Sequence, residues 1–287
     1  MVSPPHSPDL TTVNVDLDER SYKIQIADSL TAAIASTAGA VIDDLSHALV
    51  IADRAVFDRW AQPLADALQS DQVRVSVTTV PSGETSKSIA QFEQLLRWAL
   101  EQGADRRSVV IAVGGGVVGD LAGFVAASFA RGIRFVQVPT TLLAMVDSSV
   151  GGKTGINLPG AKNMVGAFWQ PSLVLIGVDV LSTLPSRSYL SGLAEVIKYG
   201  VIDDAEFFDW LESAGSQLVD RDASSLRHAI TKSCQSKARV VGADERETSG
   251  RRAILNYGHT FAHAIEATAG YGTVLHGEAV SIGMQMA

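Results

Sequence analysis

Histidines near the end of the chain could bind a metal ion or transfer protons. His259 and His263 are four residues apart, so they share a face if the segment is helical, and His276 follows soon after. The spacing resembles the H-E-x-x-H motif of zinc hydrolases, but Thr260 replaces the glutamate that serves as general base in a metalloprotease. A pair at this spacing is more often a surface or packing feature than a metal site, so both interpretations stay open.

A carboxylate that could join these histidines stands earlier in the chain. Glu195 and Lys198 are three residues apart and would lie on one helical face, where such a pair is ordinarily a solvated ion pair. Their neighbours Leu193, Val196 and Ile197 are apolar. A charged pair among apolar residues indicates a functional purpose, so Glu195 is a candidate metal ligand.

Basic and amide side chains recur along the chain and could together bind an anionic substrate. Arg131, Lys153, Lys162 and Asn163 stand close to glycines, and Lys237, Arg252 and Asn256 follow later. Each could equally be an ordinary surface residue, which is the usual place of Lys and Arg. The run Gly151-Gly152-Lys153-Thr154 superficially resembles a P-loop, but it lacks the first glycine of that motif.

A glycine-rich segment follows the apolar run Val109–Val113. Gly114, Gly116 and Gly119 match G-x-G-x-x-G where a strand would end and a helix begin. Bare glycines let the backbone approach a pyrophosphate, and the N-terminus of the helix offers N–H groups and a positive dipole. The alternative is a tight strand-to-helix turn without a ligand.

The residue that usually holds the ribose of a dinucleotide is missing from its expected place. An acidic residue is expected about 20 positions after the glycines, but residues 131–141 contain none. The ribose would have to be held by Asp53 or by the segment that contains Glu84 and Lys87.

These residues need a scaffold, and hydrophobic periodicity predicts an α/β fold followed by helices. The predicted strands are Val13–Leu17, Tyr22–Ile26, Ala48–Ala52, Val73–Val80, Val109–Val113, Phe135–Val138 and Leu173–Ile176. Helical patterns follow the Ala48–Ala52 strand as far as Ala67 and cover Ser88–Gln102 and Gly119–Phe129. Such alternation predicts a Rossmann-like, mostly parallel sheet, with the first two strands antiparallel. From Tyr189 onward only helical patterns occur, so we expect an α/β domain at 1–181 and a mainly α-helical domain at 182–287.

Composition excludes several classes of partner. The net charge of −8 and the pI near 5.2 argue against nucleic acid, which requires a broad basic surface. The single cysteine, Cys234, excludes an intramolecular disulfide and fits a reducing compartment. We read no secretory signal at the N-terminus, and the apolar runs are too short to span a membrane. The sequence thus predicts a soluble, cytoplasmic protein.

Five segments together resemble the dehydroquinate synthase family, from about residue 13 to the last residue, in that family's order and spacing. They are Gly114–Asp120, Pro139–Asn157, Ala194–Gly200, Leu255–Glu266 and His276–Glu278. The resemblance implies that Glu195, His259 and His276 bind zinc, with cobalt as a possible substitute, and that His263 lies near the substrate without binding the metal. Departures are small: Ala262 stands where the family usually has glycine, and Ser182 where lysine is common.

The resemblance also implies the remaining site residues. NAD would contact Asp53, Ser82, Gly83, Glu84, Thr85, Ser86, Lys87, Gly116, Val117, Val118, Gly119, Asp120, Thr140, Thr141, Lys153, Lys162, Leu181, Ser182 and Thr183. The substrate would be held by Asp147, Lys153, Asn163, Lys198, Lys237, Arg252, Asn256 and His263. Arg131 would reach across the interface of a homodimer.

The implied activity is a phosphate-eliminating carbon–oxygen lyase of the shikimate pathway, which serves aromatic amino acid biosynthesis. It converts 3-deoxy-D-arabino-heptulosonate 7-phosphate to 3-dehydroquinate and phosphate, with a hydride removed to NAD and later returned, so no net redox change occurs. The alternatives are a related cyclase that makes inosose or valiolone products, a polyol dehydrogenase of the same plan, and a non-catalytic NAD-binding protein. Lys162-Asn163 and Gly155-Ile156-Asn157 favour the dehydroquinate branch.

The end of the chain resembles an unfinished helix. Residues 279–287 are mostly apolar, and no glycine, proline or basic last turn marks a stop. Because the resembling family continues for several more helices, we expect a truncated chain that is less stable and less active than a longer one.

Overall fold

The computed structural model describes residues 10–37, 45–270 and 273–287. The strands are β1 (Thr11–Val15), β2 (Tyr22–Ala27), β3 (His47–Asp53), β4 (Arg74–Val80), β5 (Val109–Gly114), β6 (Arg134–Pro139), β7 (Lys153–Leu158), β8 (Ala161–Phe168) and β9 (Leu173–Gly177). The helices are α1 (Leu30–Thr37), α2 (Gln62–Leu68), α3 (Ile89–Glu101), α4 (Gly116–Ser128), α5 (Ser186–Asp203), α6 (Ala205–Ser213), α7 (Gly215–Val219), α8 (Ala223–Ala243), α9 (His259–Ala269) and α10 (His276–Met286).

A seven-stranded sheet forms the centre of the first part of the chain. Its strand order is β1-β2-β9-β6-β5-β3-β4. β1 and β2 are antiparallel, whereas the other neighbouring strands pair in parallel. The predicted α/β class and the predicted antiparallel first pair are confirmed.

The central strands are apolar on both faces because helices cover both. Within β3, Leu49 and Ile51 belong to the core beneath α3 and α4, whereas Ala48 and Val50 point into the opposite core. That second core extends without a break into the helices of the second part, where it includes residues such as Phe207. The sheet and the helical part therefore hold each other in place.

The hairpin of β7 and β8 was not predicted. Its strands pair antiparallel, with a bulge between Ile156 and Leu158, and the hairpin packs against α4. Half of β8 faces solvent, including Met164, so the segment lacks the apolar alternation by which strands are recognised. A two-stranded hairpin depends on tertiary support, here from α4.

Helices make up the second part, as predicted. Among the residues described after Gly177 no further strand forms, and α5 begins at Ser186 after a 3-10 segment, Val178–Thr183. The predicted boundary at 181/182 lies within that segment and stays a prediction. In the described part of the chain, no helix is both long and apolar enough to cross a membrane.

Candidate metal centre and active-site cleft

Three helices bring Glu195, His259 and His276 together. Glu195 lies on α5, His259 is the first residue of α9, and His276 is the first residue of α10. The Nε2 atoms of His259 and His276 lie 3.7 and 3.6 Å from Oε1 of Glu195, and one ligand atom from each residue falls within 4.8 Å of the others.

The second nitrogen of each imidazole has its own partner. Nδ1 of His259 lies 3.1 Å from the carbonyl oxygen of Tyr257, and because that oxygen can only accept, Nδ1 carries the hydrogen. Nδ1 of His276 lies 3.5 Å from the carboxylate of Glu266. Contacts of this kind orient metal-binding histidines and leave the lone pair of Nε2 directed at the centre of the cluster.

Glu195 and Lys198 are not a solvated surface pair. The side chains of Glu195 and Lys198 are 0% and 1% exposed, and their charged ends touch. Even so, neither carboxylate oxygen of Glu195 has a hydrogen bond of ordinary geometry from the described residues. Burial raises the pKa of the Glu195 carboxyl, although the charge of Lys198 opposes the shift. A buried carboxylate with unused lone pairs needs a further positive partner.

The position of His276 depends on the close packing of α10 against α5. A Cβ atom on Gly277 would lie 1.8 Å from the carbonyl oxygen of Ser191, so a larger residue cannot replace this glycine without moving the helix. The N–H of Gly277 also donates to Oγ of Ser191 at 3.0 Å. This contact places the start of α10 beside Glu195.

These residues fit a zinc ion. Two ligands about 2.0–2.1 Å from a tetrahedral zinc are roughly 3.4 Å apart, close to the 3.6 and 3.7 Å separations between the histidines and Glu195. Burial, with a contribution from Lys198, lowers the pKa of His259 to about 4, which keeps this imidazole neutral and able to bind a metal. A carboxylate and two imidazoles leave coordination positions free for a substrate.

His263 stands apart from this group. It lies one turn along α9, its ring centre is 5.7 Å from that of His259, and its side chain is exposed to the cleft. The structure therefore places His263 beside the cluster and facing a cavity.

The cleft consists of two adjoining cavities of about 520 and 610 Å³. Asp120, Asp147, Ser148 and Asn163 line both. The smaller cavity is also lined by Lys153, Lys237, Glu247 and Arg252, and the larger by Glu84, Lys87, Gly116, Val117, Lys162, His263 and His276. The cleft thus joins the glycine loop, the histidines and most of the predicted basic residues.

Asp147 and Lys237 form an ion pair in the cleft, with Lys237 buried and Asp147 30% exposed. Nζ of Lys237 lies 2.6 Å from both Oδ1 and the backbone oxygen of Asp147. The Tyr199 hydroxyl, 3.0 Å from the backbone oxygen of Val146, also lies 3.3 Å from Oδ1. Burial works to raise the pKa of the Asp147 carboxyl, but the charges of Lys237 and Lys198 outweigh it and hold that pKa well below its usual range. Burial lowers the pKa of Lys237.

The glycine loop has the predicted strand–turn–helix context. β5 ends at Gly114, and α4 begins at Gly116 with its N-terminus at the larger cavity. A Cβ atom on Gly116 would lie 2.8 Å from Oγ of Ser148, so the loop needs glycine for packing as well as for ligand approach. Thr140, with Thr141 next to it, closes the neighbouring strand end by donating its N–H to the oxygen of Gly114 at 2.9 Å.

The candidate ribose residues lie at neighbouring strand ends. Asp53 ends β3, and its Oδ1 accepts hydrogen bonds from the N–H of Ala55 and the hydroxyl of Ser82. Lys87, 4% exposed, pairs with Asp120 at 2.6 Å and donates to Asn163. Ser82 and Lys87 belong to one segment that leads from β4 into α3, which consists of Ser82, Gly83, Glu84, Thr85, Ser86 and Lys87.

Several predicted site residues have side chains that do not line the two cavities of the cleft. The side chains of Val118 and Leu181 are buried in the core, and Gly119 packs against Gln137, so a cofactor could reach only their backbone. Ser182 and Thr183 are exposed beyond β9. Asn256 lines a separate cavity beside Val201, and Arg131 lies exposed after α4, so neither lines the two cavities of the cleft.

The sequence analysis missed three residues of the site. Glu266 contacts His276, and its position seven residues after His259 on one helix could have revealed it. Tyr199 binds Asp147, and Glu247 contacts both Lys153 and Arg252. No local signal identifies Tyr199 or the contact of Glu247 with Lys153, because these partners are distant in sequence.

Comparison with known proteins identifies the family. The family model described as 3-dehydroquinate synthase N-terminal matches residues 77–191, and the model described as 3-dehydroquinate synthase C-terminal matches residues 192–287. The chain belongs to the 3-dehydroquinate synthase family. It is 62% identical over 283 residues to the 3-dehydroquinate synthase of Rhodopirellula baltica, covering 97% of this chain and 76% of that protein. The predicted identity as a phosphate-eliminating lyase of this family is confirmed.

Two solved structures of sugar cyclases have the same fold. A 2-deoxy-scyllo-inosose synthase complexed with carbaglucose-6-phosphate, NAD⁺ and Co²⁺ has a TM-score of 0.84 at 29% identity, covering 96% of this chain and 75% of that one. The 2-epi-5-epi-valiolone synthase of Streptomyces hygroscopicus, with NAD⁺ and Zn²⁺ bound, has a TM-score of 0.83 at 32% identity, covering 94% and 74%. These matches support NAD and a divalent metal as cofactors.

Proposed function

We propose that the chain converts 3-deoxy-D-arabino-heptulosonate 7-phosphate to 3-dehydroquinate and phosphate, in the pathway to aromatic amino acids. The observation that carries the proposal is the buried carboxylate of Glu195, which faces two Nε2 atoms at the edge of a cleft that also receives the glycine loop. The identity of 62% to a 3-dehydroquinate synthase supports this substrate over those of the two cyclases, which are 29% and 32% identical.

Each half of the chain has its own task in this proposal. The α/β domain, 1–181, holds NAD, and the helical domain, 182–287, holds zinc through Glu195, His259 and His276. When bound, zinc polarises a substrate alcohol and NAD accepts and later returns the hydride. For NAD the chain supplies the N-terminus of α4 and the carboxylates of Asp53 and Asp120.

The cationic side chains orient the anionic substrate. Lys153 and Arg252 stand in the smaller cavity, where they can bind the phosphate and carboxylate groups of the substrate, and Lys162 stands in the larger, where it can contact NAD. Asp147 holds Lys237 in place and Glu195 holds Lys198 in place, so these two ammonium groups are preorganised to donate hydrogen bonds. Such fixed charges stabilise the negative charge that develops on substrate oxygens.

His263 is the proposed proton carrier. Its exposed imidazole faces the larger cavity one turn from His259, so it can reach a bound substrate without binding the metal. An imidazole can both accept and donate a proton.

We also propose a homodimer in the cytoplasm, in which Arg131 completes the cleft of the second copy. Ala130 and Arg131 both have left-handed backbone angles, φ 50° and 70°, before Gly132. This costly conformation belongs to an exposed arginine that lines neither cavity of its own cleft, which fits a role in an interface. Analytical ultracentrifugation tests the dimer, and Arg131→Ala should then reduce turnover without changing zinc content.

The decisive experiment supplies three substrates to the zinc-loaded protein with catalytic NAD. We expect phosphate release and a cyclic ketone from the seven-carbon sugar phosphate acid. Turnover of glucose 6-phosphate, whose carbocyclic analogue occupies the inosose synthase, would instead assign the chain to that branch. Accumulation of NADH from a polyol would identify a dehydrogenase.

A further inference from the structure

A carboxylate of the chain itself occupies the cationic end of the smaller cavity. Glu247 touches Nζ of Lys153, and its Oε1 lies 3.4 Å from Nε of Arg252. The Arg252 side chain is 3% exposed, whereas that of Glu247 is 39% exposed. One partly exposed carboxylate therefore contacts two cations, one of which is almost completely buried.

Hydrogen bonds and an unusual backbone conformation define the loop that carries Glu247. Asp244 accepts hydrogen bonds from the N–H groups of Thr248 and Ser249 at 2.8 and 3.1 Å, which closes the loop tightly. Within it Glu247 has a left-handed φ of 58°, a costly conformation for a glutamate. Arg252 is anchored separately, since it donates to the backbone oxygen of Glu245 at 2.7 Å and would stay in place if Glu247 moved.

The charges of the cavity single out Glu247 among its carboxylates. Asp147 pairs with Lys237, and Asp120 pairs with Lys87. Their lysine partners are buried, with side chains 6% and 4% exposed. Glu247 is 39% exposed and touches Lys153, which is 55% exposed, so it can leave this contact for water at little cost when a more highly charged anion arrives.

We propose that Glu247 is a resident competitor of the substrate: it fills the anion site between Lys153 and Arg252, and the anionic group of the substrate must displace it. This inference rests on the proposed function, because it takes the ligand to be a sugar phosphate acid. A dianionic phosphate satisfies both cations better than one carboxylate does, and the displaced carboxylate beside it repels the bound anion. Glu247 thus weakens the hold on inorganic phosphate and favours its release as product.

The test measures binding of inorganic phosphate by isothermal titration calorimetry to the protein loaded with zinc and NAD. Glu247→Gln keeps the size of the side chain but removes its charge. Glu247→Asn, also neutral, suits the left-handed backbone better and serves if the first variant folds poorly. Glu93→Gln is the matched control, since Glu93 loses the same charge from an exposed pair with Arg97 on α3.

Both Glu247 variants should bind phosphate about 2- to 5-fold more tightly than the unaltered protein, the range expected for removal of a partly exposed ion-pair competitor. Glu93→Gln should bind it unchanged. Unchanged or weaker phosphate binding in the Glu247 variants would overturn the inference, because Glu247 would then be inert or would position Lys153.

Turnover of the seven-carbon sugar phosphate by the unaltered protein is measured alongside. If the unaltered protein turns over the substrate but the Glu247 variants bind phosphate with unchanged affinity, the role of Glu247 is rejected and the proposed function stands. Tighter phosphate binding without turnover rejects the proposed substrate and leaves the anion site in place.

Discussion

Replacing Lys198 by methionine tests whether the buried carboxylate of Glu195 serves a metal ion. The substitution keeps a side chain of similar length but removes the positive charge that touches Glu195. In metal-free protein, Glu195 then remains buried without the ammonium group that touches it. With zinc bound, the ion itself supplies positive charge, so the loss of Lys198 should cost much less.

The size of the effect follows from burial. Removing one partner of a fully buried ion pair costs about 3–5 kcal/mol, and the Lys198 and Glu195 side chains are 1% and 0% exposed. For 287 residues, an unfolding entropy of about 2.1 cal/mol/K per residue sums to roughly 0.6 kcal/mol per degree. In the presence of a chelator we therefore expect the variant to melt about 5–8 °C below the unaltered protein.

Lys232→Met is the matched control. Lys232 and Asp204 pair at 3.0 Å, but their side chains are 33% and 23% exposed. Such a pair contributes about 1 kcal/mol or less, so this variant should melt within about 2 °C of the unaltered protein with or without zinc.

Differential scanning calorimetry of the three proteins, each with zinc and with chelator, gives the comparison. The reasoning predicts that zinc removes most of the Lys198→Met difference and leaves the small Lys232→Met difference unchanged. An equal loss of stability for Lys198→Met in both conditions would refute it, because Glu195 would then have no second positive partner.

Three further predictions concern the metal, the cofactor and the loop. His276→Ala should lose most of its zinc by metal analysis, whereas His263→Ala should keep zinc and NAD but turn over about 10²–10⁴-fold more slowly; loss of zinc from the second variant would contradict this division of roles. NAD should be needed only in catalytic amounts, so steady accumulation of NADH absorbance during turnover would speak against a cyclase. Burial works to raise the pKa of Asp244, but N–H hydrogen bonds, including those from Ser249 and Arg252, lower this pKa from 3.8 to about 2. The ionised carboxylate of Asp244 therefore stabilises the fold above pH 3.8, and this stabilisation is lost as the pH falls towards 2. Asp244→Asn should accordingly lower the melting temperature at neutral pH, and the difference should narrow through that window; a constant difference would show that the charge of Asp244 is not what holds the loop.

Local patterns predicted most of the fold because each central element carries its own signal. The apolar run of β5 and the glycines after it produced a strand, a turn and a helix in the predicted places. Ser88 caps α3 as its position suggests, since its hydroxyl accepts from the N–H of Gln91. The hairpin of β7 and β8 escaped prediction because α4, rather than its own periodicity, supports it.

By itself the sequence determined the residue types and their order, and with them the family, the parallel α/β class and the candidate ligands. Spacing alone left undecided which histidines face Glu195, because His259 and His263 share one helical face; the resemblance to the family supplied the assignment to His259 and His276. Tertiary packing brings both of these histidines to the carboxylate, and the contact of Gly277 with Ser191 sets α10, which carries His276, against α5. Packing likewise buried the Glu195–Lys198 pair, which spacing alone would place in solvent, and brought Glu247 to Lys153 and Arg252. The physical reason is the same in each case: periodicity fixes which side chains share a face of one element, and only contacts between elements distant in sequence fix what that face meets.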